Sequence, residues 1–198
     1  MNDREDAAAR CPATGNRVAE TAVKGRWRGL RRASRATRWG AVLILCLLPA
    51  FIALAYIHAY GVNCIFWDGF EFVPLIEKYY KGTLTFQDFY SQHNEHRFLF
   101  PRLVMLPLGL ATRYNTVAEM YVGWGFLCLS ALPVFLLCRR LYRDALTATG
   151  AFIPAVWILF SLRQSANLLW GWQMSFFMAS AFFLLSMYFM QSSRRLDG

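Results

Sequence analysis

Cysteine motifs, acidic residues and charged interiors are all scarce in this sequence. Its five cysteines (Cys11, Cys46, Cys64, Cys128 and Cys138) include no C-x-x-C pair, so spacing gives no sign of a disulfide framework or a zinc site. Only 12 acidic residues stand against 21 Lys and Arg, a formal charge of +9. Ten of those basic residues precede Trp39, and most of the others flank apolar blocks. The surplus therefore follows membrane topology and not nucleic-acid binding, because Lys and Arg beside a span hold that side in the cytoplasm. Glu119, near the end of a block, is almost the only ionisable side chain within the apolar blocks. Transporters place such groups near the bilayer midplane, which ranks a transport function last.

What is abundant is apolar surface, 57% of residues, gathered in long blocks. Residues 39–60 hold no Asp, Glu, Lys or Arg; as a helix this block reaches roughly 33 Å, enough for a hydrocarbon core of about 30 Å. It is too long for the apolar part of a signal peptide, and no small-x-small cleavage site follows it. Further spans are read over 117–138, 145–162 and 169–190. The fold expected is thus an all-α membrane protein with about four transmembrane helices and amphipathic juxtamembrane helices in a large first outer loop, 61–114. Residues 1–38 read as a basic, disordered cytoplasmic tail, with too few large apolar groups to offset ordering entropy. With that tail inside, the clusters Arg139, Arg140, Arg143 and Arg194, Arg195 also fall inside, as expected of a multi-pass plasma (inner) membrane protein. The block 98–112 is short, carries Arg102 and is broken by Pro101 and Pro107; it reads as a half-buried juxtamembrane or re-entrant helix and not a fifth span.

The loop 61–114 opens with W-D-G-F-E, where Asp68 and Glu71 share one helix face. Phe72, Leu75, Ile76, Tyr79 and Tyr80 form the other, an interfacial amphipathic helix ending near Gly82. Thr85 and Asp88 match a capping box for a second short helix over 86–92. It leads into His93, Asn94, Glu95, His96 and Arg97. Ionisable groups gathered beside apolar helices are costly to hold near lipid, so together they mark a candidate site. Singly, Asp68 and Glu71 also serve as caps, and Glu95 and Arg97 as a surface pair. His93 and His96 with Asp68 or Glu71 offer oxygen and nitrogen donors for a divalent ion, but the spacing is not that of H-E-x-x-H, so no metal ligand and no cofactor is assigned. Between the last two spans, R-Q-S-A-N-L-L-W-G-W-Q brings Arg163, Trp170, Trp172 and Gln173 to the same side. Tryptophans at that depth read as interface anchors before sugar-stacking platforms.

Trp67, Asp68 and Glu71 after the first span, with H-N-E-H-R-F-L-F-P-R-L and N-L-L-W-G-W-Q, resemble the GT-C superfamily of polyprenyl-phosphate-dependent membrane glycosyltransferases over about residues 39–190. The resemblance implies the N-terminal portion of an enzyme that moves a sugar from a lipid-phosphate donor to an acceptor at the extracytoplasmic face. Asp68 then stands in the position of general base and Glu71 orients the acceptor or a metal. His93, Glu95, His96, Arg97, Arg102, Trp170 and Gln173 bind substrate. The partners implied are membrane lipid, the lipid-phosphate sugar donor and a further membrane subunit. The alternative is a non-catalytic membrane scaffold or assembly subunit, consistent with so few spans.

Overall fold

The computed structural model describes residues 34–94 and 96–193. Most of the expected tail, together with Glu95, Arg194 and Arg195, lies outside the described residues. By their contacts Met1–Ala41 and Val42–Gly198 are separate units. The first helix, α1 (Arg35–Tyr60), starts four residues before the expected Trp39. The Ser34 hydroxyl accepts the Thr37 amide at 3.2 Å, an N-cap that draws Arg35 and Arg38 into the first turn.

Six further helices lie between α1 and the last: α2 (Val73–Tyr80), α3 (Phe86–Tyr90), α4 (Leu99–Thr112), α5 (Thr116–Leu141), α6 (Ala145–Leu159) and α7 (Ser165–Leu168). The last is α8 (Met174–Ser193). Three 3₁₀ segments, Trp67–Phe72, Leu162–Gln164 and Gly171–Gln173, adjoin them. A two-residue antiparallel pair, β1 (Gln92–His93) with β2 (His96–Arg97), sets His93 opposite His96. Four stretches, Arg35–Tyr60, Thr116–Leu141, Ala145–Leu168 and Gly171–Ser192, are long and apolar enough to cross a membrane, as expected of an all-α multi-pass membrane protein. The third is interrupted: regular α-helix stops at Leu159 and the chain continues in 3₁₀ and short α-helical turns.

Helix α5 is the hub, packed along α8 and α6. Gly123 makes the close approach to α8 possible, since a Cβ there would meet the Phe177 ring at 3.1 Å and the Met174 Cα at 3.5 Å. Ala53, Ile57, Leu127, Phe152, Val156 and Phe177 fill the core between the long helices. Pro49 has no N–H to give the Leu45 carbonyl one turn back. In a membrane that carbonyl needs another partner, and the Trp157 indole N–H donates to it at 3.0 Å. The Trp124 indole donates likewise to the Ala50 carbonyl at 3.0 Å.

A second core lies under the loop 61–114. Phe72, Leu75, Phe98, Met105, Leu106, Trp172 and Met174 are buried together, so two expectations change. The helix after W-D-G-F-E is not one amphipathic helix laid on lipid: it begins as a 3₁₀ turn and its apolar face divides, with Phe72 and Leu75 buried against protein while Tyr79 and Tyr80 stay exposed. Trp172 is not an interface anchor but a core residue, 4% exposed, stacked on Phe98 with ring centroids 4.6 Å apart. Helix α4 buries Pro101, Arg102, Met105, Leu106 and Gly109 along one stripe. At 14 residues it is about 21 Å long, short of a bilayer core.

Candidate functional site

The segment after α1 is pinned to the start of α5. The Asn63 side chain accepts the Thr116 amide at 2.9 Å, and the Thr116 hydroxyl accepts the Cys64 amide at 3.1 Å. Asn115 caps α5 by accepting the Val117 amide. The preceding Arg113 and Tyr114 both take left-handed backbone (φ 56 and 57) to reverse the chain out of α4. Tyr114 then donates its hydroxyl to the Gly69 carbonyl at 2.8 Å, and its ring lies 5.5 Å from that of Phe72. Burial, and after it the charge of Glu119, pushes the Tyr114 phenol well above its usual range, so it stays a neutral donor. This one residue holds the 3₁₀ turn that presents Asp68, half-buried, and Glu71, exposed. Three residues apart on a 3₁₀ turn, the two carboxylates lie on the same face, as expected from their spacing.

Trp67 opens that turn with φ 46, a left-handed conformation costly for a bulky side chain. Its ring is 73% exposed and stacks on Trp170 at 6.3 Å and 17°, with the Phe66 ring edge-on to Trp170 at 5.5 Å. The tryptophan from the connection between the last two spans thus meets the loop on the same side.

Arg102 is 6% exposed. Its Nη1 lies 3.1, 3.3 and 2.6 Å from the carbonyl oxygens of Asp88, Phe89 and Ser91, and 2.7 Å from the Ser91 hydroxyl. These are the acceptors that the end of α3 leaves open, so Arg102 ties α3 to α4. Burial lowers the guanidinium pKa, and the charges of Glu71 and Asp88 push it back up. Asp88 itself pairs with Lys78 and closes the capping box on Thr85. Those bonds, that to Lys78 foremost, hold its carboxyl down to about 2.

Arg97 projects from β2, with its guanidinium 4.3 Å over the Tyr90 ring and Nη1 donating to the Tyr90 carbonyl at 3.3 Å. It stands on an otherwise apolar groove of about 580 Å³ between the start of α4 and α8, lined also by Phe98, Phe100, Pro101, Phe176, Met178 and Phe182. His93 and His96 are placed by backbone alone. Among the described residues no group of three His, Cys, Asp or Glu side chains converges as metal ligands.

The expected binding residues therefore divide. Arg97 lines the groove and Arg102 does not; Gln173 lines a separate cavity with Gln164 and Asn167. Trp170 lines a third cavity of about 210 Å³, bounded by Val62, Phe66, Gly69, Tyr114, Thr116, Glu119 and Gly171. Sequence reasoning passed over this last site. Glu119 is 2% exposed, and its Oε1, like the Trp170 Nε1, is buried without a hydrogen-bond partner. Glu119 follows the Asn115 cap by four residues and not three, so it is not the return half of a capping box. That offset, in the one acidic residue of a span, was the available signal. The chain matches no protein-family model, no curated protein and no solved structure.

Proposed function

We propose that this protein is a membrane glycosyltransferase of GT-C type, or the N-terminal part of one, using a polyprenyl-phosphate sugar donor. In this reading the loop 61–114 faces extracytoplasmic water and the N-terminus lies in the cytoplasm of a bacterial-type inner membrane. The observation that supports it most is the pairing of Arg97 with the long apolar groove between α4 and α8. A prenyl chain is apolar and ends in a phosphate, and a guanidinium at the rim of an apolar groove answers both parts. The carboxylates of Asp68 and Glu71 on one face of the neighbouring loop supply the other requirement of sugar transfer.

The acceptor hydroxyl attacks the anomeric carbon as Asp68 takes its proton, and the carbon–oxygen bond to the lipid phosphate breaks. Negative charge gathers on the departing phosphate, where Arg97 stabilises it, with His93 and His96 on the strands beside it. Glu71 orients the acceptor. Arg102 acts at one remove, by fixing the helix end from which β1 and Arg97 follow.

Membranes containing the chain, supplied with a radiolabelled polyprenyl-phosphate hexose, test this. Sugar transfer is expected with the native chain and lost in Asp68→Asn at unchanged membrane insertion. Arg97→Gln is expected to weaken donor use by about tenfold or more, the loss of one charge-assisted contact to phosphate. Transfer undiminished in Asp68→Asn would remove the proposed base.

A further inference from the structure

A buried carboxylate oxygen and a buried indole N–H, each without a partner, line the same cavity beneath the Trp67–Phe72 turn. In a folded protein such atoms are rare, because each keeps the cost of leaving water with no bond in return. Their demands are opposite: the Glu119 oxygen needs a donor, and the Trp170 N–H needs an acceptor. The site is also held in shape. Gly171 lets the backbone lie against Glu119, since a Cβ there would come within 2.8 Å of the Glu119 Cβ and 2.9 Å of the Thr116 carbonyl. The Tyr114 hydroxyl is already committed to the Gly69 carbonyl.

We infer that this cavity binds a neutral, polyhydroxylated ring of monosaccharide size, with hydroxyl groups answering both Glu119 and Trp170. A hydroxyl is donor and acceptor at once, so one ligand type satisfies both atoms. An ammonium group satisfies Glu119 and leaves the indole unpaired. Water meets the polar demand but not the walls, which are mostly apolar and aromatic, Phe66 and Trp170 among them. Aromatic walls suit the C–H faces of a hydroxylated ring. Size agrees: a cavity of about 150 Å³ accepts benzene, and this one is about 210 Å³. The inference stands apart from the transferase reading, for it uses neither Asp68 nor Arg97.

The test is saturation-transfer NMR on the full chain in nanodiscs, with methyl glycosides of the common hexoses and myo-inositol as probes and ethanolamine and tetramethylammonium as amine controls. At least one hexoside or inositol is expected to give a saturable signal in the millimolar range. That signal should fall by about tenfold or more in affinity in both Glu119→Gln and Trp170→Phe, each losing a buried hydrogen bond. It should persist in Arg97→Gln. Trp170→Phe keeps an aromatic ring in place, so it reads the N–H if Glu119→Gln does not fold. No saturable signal from any hydroxylated probe would overturn the assignment. So would an unchanged signal in Trp170→Phe, or saturation by the amines alone.

Discussion

Replacing Arg102 with Met would keep most of its buried stem and remove the guanidinium, leaving the carbonyls that end α3 without their donor. Unsatisfied buried acceptors cost more than the bond itself returns, so the expected loss is about 3 kcal/mol. Denaturant unfolding of the purified chain in detergent should report it. Arg102→Lys should recover only part, because an ammonium cannot span the same acceptors as a planar guanidinium. At this scale the sequence was half legible. An arginine inside an apolar block is conspicuous, but its partners lie eleven and more residues away in a turn whose path it cannot announce. Glu119 shows the same limit: its charge is visible in the sequence, whereas the cavity around it needs Trp170 and Gly171 from the far side of α6.

The long helices were the most legible elements, because length and composition alone decide whether a segment crosses lipid. Their ends were less so. Ser34 moved the start of α1 outward, and the third span gives way to 3₁₀ turns after Leu159, where tertiary packing decides. The W-D-G-F-E segment was read with a helical period, yet burial of Phe72 and Leu75 against α4 overrode the even amphipathic stripe. Proline in α1 leads to a testable coupling. Trp157→Phe should cost about 1 kcal/mol in the native background, because the Leu45 carbonyl then has no donor. In Pro49→Ala the helix supplies that donor itself, and the same Trp157→Phe change should cost markedly less. A double-mutant cycle of unfolding free energies reads the difference. Equal costs in the two backgrounds would mean that the indole bond adds nothing to the stability of α1.

Across the whole molecule, one end of the bundle gathers nearly all the chemistry. The 3₁₀ turn with Asp68 and Glu71, the groove under Arg97 and the cavity of Glu119 and Trp170 all lie where 61–114 meets 162–173. Alternating connections between spans put both segments at that end, which the sequence shows. It does not show that the loop builds a core of its own, since Phe98, Met105 and Trp172 come together only in three dimensions. A site of this kind can serve an extracytoplasmic sugar transfer only if that end faces outward. Single cysteines placed at Thr83 and at Arg143 in a cysteine-free chain, treated in intact cells with a membrane-impermeant maleimide, decide this directly. The account predicts labelling at position 83 without permeabilisation and at 143 only after it. Labelling at 143 in intact cells with none at 83 would contradict it.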